Sequence, residues 1–254
     1  METQQTEQQT QVLGQASTLA GAPYIEAHGL CLGNKIRTAY QDIDFCMEGG
    51  RAHAILAENR AGKTELLLTL AGHMLPTAGT CTVAGIDVRH LNNLYKLRKK
   101  TGMGFFENVN DVQKVLPVRT VTSAELGLYG RKSNKKATLA YLEEWGLADV
   151  ADACIDDLDR RTYDRLGIAL GMVGDPELLV VDDIETDLTE HQTVTLIELL
   201  KDLARTRGIT VVCGMTDYDL ARNFDDVACI TDDARAQRDA VEGKLAAARL
   251  QEVA

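Results

Sequence analysis

Residues 62–64 place a lysine and a threonine after a glycine, between a short apolar run and a leucine-rich segment. The run Ala52–Leu56 predicts a buried strand, residues 57–62 a polar turn, and the segment from Lys63 a helix that ends near Gly72. Such a turn directs backbone N–H groups into a concavity, where the positive end of the helix dipole adds to their effect. A lysine ammonium and a threonine hydroxyl at these positions suit the β- and γ-phosphates and Mg²⁺. The stretch therefore predicts a phosphate-binding loop.

The candidate phosphate ligands are the residues of this turn and of the start of the helix, namely Asn59, Arg60, Ala61, Gly62, Lys63 and Thr64. The usual pattern has glycine where this chain has Ala57. If that position requires a left-handed backbone, alanine costs roughly 1–2 kcal/mol there. We therefore expect Ala57 to weaken the loop without abolishing it. An ordinary turn between a strand and a helix is the alternative interpretation.

A pair of acidic residues ends another apolar run. Leu178–Val181 predicts a fully buried strand, and Asp182 and Asp183 follow it directly. Because ligands of parallel sheets lie at the carboxyl ends of the strands, we expect Asp182 to reach a Mg²⁺ ion bound by Thr64. Asp183 is the candidate for orienting or deprotonating an attacking water. The alternative is that both acids only cap the exposed end of a strand.

Strand and helix patterns alternate along the chain, which predicts an α/β protein whose largely parallel sheet is covered on both faces. Helical spacing around residues 122–147 assigns Leu128 and its apolar neighbours to the core. The turn Ala84-Gly85 predicts a hairpin. Other predicted strands and helices are Ile25–Leu32, Ile43–Met47, Thr80–Val83, Gly102–Phe106, Leu158–Val173 (helix), Thr193–Arg205 (helix), Ile209–Cys213 and Val227–Thr231.

The overall charge restricts the kinds of partner. With 27 Lys and Arg against 38 Asp and Glu, the net charge is −11, so the chain as a whole is a poor polyanion binder and we expect no nucleic acid partner. The six cysteines form no C-x-x-C pair, which favours reduced thiols in a cytosolic protein. No apolar run has the length of a membrane span, and no Lys or Arg precedes Lys35, so we expect neither a spanning helix nor a secretion signal.

The order and register of these motifs, over about Ile25 to Ile230, resemble the nucleotide-binding subunit of ABC transporters. The segments LAGHMLPTAGTCTVAGIDV and GLADVADACIDDLDRRTYDRLGIALGMVGDPELLVVDD carry the resemblance. It implies a P-loop NTPase of ABC-cassette type, with a mainly parallel sheet core, a small antiparallel β part and a helical subdomain. It also implies ATP and Mg²⁺ as cofactors, and an integral membrane permease and a second ABC-type ATPase subunit as partners. The subunit would then lie in the cytoplasm, peripherally at the inner face of the cell membrane.

The expected domain division follows from composition and from this resemblance. Residues 1–22 are rich in Gln and Thr and predict a disordered tail. Residues 23–254 are expected to form a single nucleotide-binding domain, with the helical subdomain at about 108–172. A C-terminal helix is expected at about 234–253, interrupted at Gly243.

Several positions that act in the family carry other residues in this chain. The signature LSGGQ, whose serine and glycine amides on one subunit hold the γ-phosphate bound by the other, reads LDRRT at residues 158–162. Asp183 replaces the catalytic glutamate, and Thr216 stands at the position of the switch histidine. The aromatic residue that stacks on adenine falls near Asn34, and Arg60 replaces a glycine of the phosphate loop.

These departures predict a subunit that binds Mg-ATP weakly and hydrolyses it slowly or not at all, while docking on a permease through its helical subdomain. Arg60 is expected to compensate in part by placing a cation beside the phosphates. Two alternatives stay open: a slow but genuine ABC-type ATPase, because Lys63, Thr64, Asp182 and an acid at Asp183 are present, and a non-enzymatic scaffold or regulatory protein with this fold.

Overall fold

The computed structural model of the chain describes residues 24–110 and 112–252, so the predicted tail at 1–22 lies outside the described residues. The strands are β1 (Ile25–Gly33), β2 (Thr38–Met47), β3 (Ala52–Leu56), β4 (Ala78–Val83), β5 (Ile86–Asp87), β6 (Thr101–Met103), β7 (Leu178–Asp182), β8 (Thr210–Met215) and β9 (Asp226–Cys229). The helices are α1 (Lys63–Leu70), α2 (Leu91–Arg98), α3 (Val118–Leu128), α4 (Lys135–Glu144), α5 (Arg160–Gly171), α6 (Glu190–Arg207), α7 (Tyr218–Ala221) and α8 (Asp232–Glu252).

A five-stranded parallel sheet with the order β6-β7-β8-β3-β9 forms the centre of the molecule. Along β7, Leu178 and Val180 pack into one hydrophobic core and Leu179 and Val181 into another on the opposite face. Burial on both faces explains why these strands are continuous apolar runs without polar alternation. The loops that follow β3, β7 and β8 consequently meet at one edge of the sheet, as the sequence predicted.

A four-stranded antiparallel sheet, in the order β2-β1-β4-β5, packs beside the first turn of α1. The predicted turn at Ala84-Gly85 is confirmed, with φ values of 50° and 71°. Strand β2 begins at Thr38 and not at Ile43 as predicted. The sequence does not indicate this start, because most side chains in the first half of the strand are polar and exposed. Strand β6 ends at Met103, before the predicted end at Phe106.

Helices α3, α4 and α5 follow one another between β6 and β7, with two short 3₁₀ turns before α5. The prediction that Leu128 is a core residue is wrong: its side chain is 80% exposed at the end of α3. Helix α8 is continuous through Gly243, so the predicted interruption there is also wrong. A glycine inside a helix costs only about 1 kcal/mol relative to alanine, which the rest of a long helix offsets.

Candidate functional site

The loop between β3 and α1 has a left-handed backbone at two residues, Arg60 with φ of 68° and Gly62 with φ of 84°. Ala57 is not one of them, so the expected conformational cost at Ala57 is absent. The cost lies instead at Arg60, a residue with a Cβ atom in a conformation that favours glycine. Gly62 is sterically required, because a Cβ atom there would lie 2.1 Å from the carbonyl oxygen of Ala39 in β2.

The Lys63 side chain is buried and 8% exposed at the first position of α1. Its ammonium donates to the carbonyl oxygen of Ala57 at 2.8 Å and lies 3.5 Å from that of Glu58. Burial lowers the pKa of Lys63, and the nearby carboxylates of Asp182 and Glu185 oppose that shift. Because an ammonium has three N–H donors, one remains for a ligand while the carbonyl contacts hold the side chain in the loop.

Backbone amides of the loop are available to an anion. The N–H groups of Arg60, Gly62, Lys63 and Thr64 make no hydrogen bond to any acceptor in the described ranges. Gly62 also gives the helix no side-chain cap. Unsatisfied N–H groups at the start of a helix, together with the helix dipole, are the usual features of a phosphate site.

The hydroxyl of Thr64 donates to Oδ2 of Asp182 at 2.5 Å, so the structure joins the two predicted metal ligands across the sheet edge. The other carboxylate oxygen, Oδ1, is buried and has no hydrogen-bond partner among the described residues. Burial raises the pKa of Asp182, while Thr64 and Lys63 act in the opposite direction. A hydroxyl beside a carboxylate with an unsatisfied buried oxygen is an oxygen donor set that fits Mg²⁺.

Gly214 of β8 makes room for this carboxylate. A Cβ atom at Gly214 would lie 2.2 Å from Oδ1 of Asp182. Gly214 pairs with Asp182 in the parallel register, and its carbonyl oxygen accepts from the Asp183 amide at 3.3 Å. Strand β8, which lies between β7 and β3 in the sheet, therefore restricts the orientation of the Asp182 carboxylate.

One cavity of about 220 Å³ brings most of the predicted site residues together. Ala61 is not among its lining residues and packs instead against the hydrophobic core under the antiparallel sheet. Thr216 does not line the cavity either. The lining residues are Asn59, Arg60, Gly62, Lys63, Thr64, Glu65, Phe105, Glu107, Asn108, Arg160, Asp182 and Asp183.

Asp183 lines this cavity, but one of its carboxylate oxygens is already engaged. Its backbone is left-handed with φ of 54°. One carboxylate oxygen accepts from the hydroxyl of Thr186 at 2.7 Å, and the carbonyl oxygen accepts from Arg160 at 3.0 Å. An activated water would therefore have to share the carboxylate of Asp183 with Thr186.

The backbone of Thr216 is hydrogen-bonded to Glu185, an acidic residue that was not among the predicted site residues. Its carboxylate accepts from the Thr216 amide at 2.5 Å and lies 3.4 Å from that of Asp217. Burial raises the pKa of Glu185 to about 7, although these amides lower it. Glu185 thus connects the loop after β7 to the loop after β8. The third acid of the run Asp182-Asp183-Ile184-Glu185 was the available sequence signal.

The altered signature segment has a clear local structure. Asp159 is the N-cap of α5, where its carboxylate accepts from the amide of Thr162 at 2.9 Å and from its hydroxyl at 3.1 Å. An aspartate at this position also interacts favourably with the helix dipole. Asn34 likewise serves its own turn, since its side-chain oxygen accepts from the amides of Ile36 and Arg37.

This fold and this cavity define a P-loop NTPase architecture with an added antiparallel sheet and a group of helices. A family model described as "ABC transporter" matches residues 40–185, more than half of the 254 residues. The chain belongs to the ABC transporter family. In the described part of the chain, none of the helices is both long and apolar enough to cross a bilayer.

Curated relatives agree with this assignment. The methionine import ATP-binding protein MetN of Streptomyces coelicolor is 31% identical over 83% of this chain and 62% of its own length. The phosphonates import ATP-binding protein PhnC of Nitratidesulfovibrio vulgaris is 30% identical over 75% of this chain and 76% of its own length. The chain therefore spans about three fifths of the MetN relatives.

Two solved structures share the fold at 22% identity. The cassette MJ0796, a dimer bound to ADP and phosphate after hydrolysis, superimposes with a TM-score of 0.69 over 82% of this chain and 94% of its own. The protein cbiO1 of Clostridium perfringens, part of the ABC transporter complex cbiONQ, gives a TM-score of 0.68 over 82% of this chain and 84% of its own.

Proposed function

We propose that this chain is the ATP-binding subunit of an ABC transporter, and that it binds Mg-ATP at its P-loop with impaired hydrolysis. The proposal rests on the cluster of Lys63, Thr64 and Asp182 around one cavity, where the amides of Gly62, Lys63 and Thr64 find no acceptor among the described residues. Its relatives are import ATP-binding proteins for methionine and for phosphonates, which supports the same class of function.

The metal would be held by Thr64 and Asp182, whose side chains already lie in hydrogen-bond contact. When bound, Mg²⁺ neutralises charge on the β- and γ-phosphates. Lys63 would exchange part of its contact with the loop carbonyls for a phosphate oxygen, and the amides of Gly62 and Thr64 would donate to the phosphates. Burial of Lys63 strengthens this interaction because a phosphate is then attracted in a medium of low dielectric constant.

Hydrolysis is impaired in this proposal because the groups around the attacking water are poorly suited to activate it. Asp183 is a short acid whose carboxylate is bound to Thr186, and a displacement of ~1 Å from the productive position can cost ~10²-fold in rate. No imidazole occupies position 216, and loss of a positioned proton-transfer group costs about 10²–10⁴-fold. These losses need not add, but each lowers turnover.

Equilibrium binding of a nonhydrolysable ATP analogue, with and without Mg²⁺, tests the binding half of the proposal. The wild-type chain should bind the analogue more tightly with Mg²⁺, and Lys63→Ala should lose at least about tenfold in affinity, because a buried charge-assisted contact to phosphate is removed. Lys96→Ala, on an exposed face of α2, is the matched control and should bind like the wild type. Equal affinity of the wild type and Lys63→Ala would refute binding at the P-loop, and no binding by the wild type would leave a non-enzymatic scaffold.

Steady-state ATP turnover by the purified chain tests the hydrolysis half. A slow but genuine ABC-type ATPase would show measurable turnover that Lys63→Ala abolishes. A rate at the usual level for enzymes, with kcat of about 1–10³ s⁻¹, would contradict the assignment of impaired hydrolysis.

An integral membrane permease and a second ATPase subunit, identical or different, are the partners that we propose. We propose that a segment of the permease docks in a groove of about 380 Å³ between α3, α5 and β6. Arg98, Glu125 and Tyr129 line this groove and offer both charged and aromatic side chains to a protein partner. Tyr129 is 51% exposed, and its neighbour Leu128 adds an exposed apolar side chain. Docking there would place the chain peripherally at the cytoplasmic face of the cell membrane. Recovery of a tagged full chain from cell extracts without any integral membrane protein would contradict this partner assignment.

A further inference from the structure

Arg160, the first residue of α5, lines the same cavity as the P-loop of its own chain. Its Nε atom donates to Oδ2 of Asp164 at 3.0 Å, and its Nη2 atom donates to the carbonyl oxygen of Asp183 at 3.0 Å. Asp164 is buried, with 7% of its surface exposed, so the guanidinium is anchored from inside the helix. The side chain therefore joins the start of α5 to the residue that follows the metal-binding acid.

The position of this arginine is fixed by close packing of α5 on β6. A Cβ atom at Gly102 would lie 2.0 Å from the carbonyl oxygen of Gly171, and one at Gly167 would lie 2.8 Å from Phe105. Phe105 in turn contacts Tyr163 of α5, with ring centroids 4.5 Å apart. Because backbones and rings meet at this distance, α5 cannot slide along the strand without steric overlap, and Arg160 stays beside the cavity.

The guanidinium retains donors for a ligand. Of its five N–H groups, one on Nε and one on Nη2 are engaged, and both N–H groups of Nη1 make no hydrogen bond to the residues that the structure describes. A planar guanidinium with free donors, lining the same cavity as the Lys63 ammonium and the Asp182 carboxylate, matches the oxygens of a phosphate.

We propose that Arg160 binds the terminal phosphate of the nucleotide held by the P-loop of the same chain. This inference rests on the proposed function of the site. The residue sits in the altered signature segment, which in the resembled family acts on the nucleotide of the opposite subunit; here its first helical residue serves its own site. Arg160 contacts the Asp183 carbonyl, next to Asp182, so it lies at the end of the cavity where the γ-phosphate meets the metal ligands.

Three consequences separate this role from a structural one. Arg160 should contribute to the binding of a triphosphate and little to the binding of a diphosphate. Asp164 should act as a positioning residue, because it holds the guanidinium without lining the cavity itself. The contribution of Arg160 to ATP affinity should also be independent of protein concentration, since the arginine comes from the same chain as the P-loop.

The test compares affinities for a nonhydrolysable ATP analogue and for ADP, both with Mg²⁺, on the full chain. Arg160→Gln should weaken binding of the analogue by about tenfold or more and that of ADP by less than about threefold, because a charge-assisted hydrogen bond is lost only in the triphosphate complex. Asp164→Asn should show the same selectivity with a smaller loss. Arg165→Gln removes the same charge from the same helix, outside the cavity lining, and should leave both affinities unchanged.

Conservation of the fold is checked by thermal unfolding of each variant, and Arg160→Lys provides a second test if Arg160→Gln does not fold. The lysine variant keeps the charge but cannot bridge Asp164 and the Asp183 carbonyl while contacting phosphate, so it should restore only part of the lost affinity. Equal losses for analogue and ADP, or no loss at all, would overturn the role of Arg160. If instead the wild type and Lys63→Ala bind the analogue equally, the proposed function itself fails.

Discussion

Arg60 offers a direct test of the loop conformation, because glycine and alanine at this position remove the same charge but differ in backbone freedom. The φ of 68° costs an L-residue roughly 1–2 kcal/mol. Glycine avoids that cost but gains flexibility in the unfolded chain, which offsets about 0.4–1 kcal/mol. The free energy of unfolding of Arg60→Gly should therefore exceed that of Arg60→Ala by about 1 kcal/mol.

Urea denaturation of the two variants and the wild type measures this difference. Arg60 makes no hydrogen bond or ion pair with another residue in ranges 24–110 and 112–252, so Arg60→Ala should unfold close to the wild type. For a domain of this size, 1 kcal/mol corresponds to about 2–4 °C in Tm. If Arg60→Gly is no more stable than Arg60→Ala, the left-handed backbone at this residue is not costly and the reasoning is refuted.

The same two variants test whether the Arg60 charge assists nucleotide binding. The exposed cation is expected to contribute about 0.2–1 kcal/mol, or up to about fivefold in affinity for Mg-ATP. Both variants should then bind the nucleotide equally, and more weakly than the wild type. An Arg60→Gly chain that binds as tightly as the wild type would show that the guanidinium does not compensate for the missing glycine.

Three further predictions concern Gly214, Glu185 and Asn34. Gly214→Ala places a methyl group 2.2 Å from Oδ1 of Asp182, so the carboxylate must rotate and the Mg²⁺ dependence of ATP binding should fall; titration with and without Mg²⁺ checks this. Glu185 has a raised pKa, about 7 against 4.5, so its contribution to stability is present at low pH and is lost between about pH 4.5 and 7. The free energy of unfolding of wild type relative to Glu185→Gln should decrease over that range, and a constant difference would contradict the burial of the carboxylate. Finally, Asn34 is engaged in its own turn and offers no ring to the base, so the affinities for ATP and for inorganic triphosphate should differ by less than about fivefold, since stacking contributes ~1–3 kcal/mol where a ring is present.

The fold follows from the sequence wherever burial on two faces produces continuous apolar runs. Leu178–Val181 and Ala52–Leu56 were predictable for this reason, and both are buried strands in the structure. Partly exposed elements were less predictable. The start of β2 at Thr38 depends on pairing with β1, where Thr38 pairs with Gly33, and not on its own composition. Helix α6 begins at Glu190, before the predicted Thr193, because a capping box precedes its apolar residues.

The sequence predicts most of the residues that line the cavity, but not their contacts. The sequence places Lys63 and Thr64 at the start of the helix that follows β3 and Asp182 at the end of β7, and the fold then brings them together. The left-handed backbone of Arg60 could not be predicted. The family pattern has glycine at more than one position of the loop, but it does not indicate which of these positions has a positive φ. The contact of Arg160 with Asp183 required the packing of α5 on β6, which depends on close approach between distant segments.

We propose that the P-loop holds a nucleotide whose terminal phosphate is cleaved slowly or not at all. The most direct test of this function follows the fate of labelled ATP in a single turnover, with the full chain in excess and Mg²⁺ present. The wild-type chain should retain labelled ATP intact, and Lys63→Ala should retain none. Conversion of the bound ATP to ADP and phosphate within seconds, or no retention of nucleotide by the wild type, would contradict it.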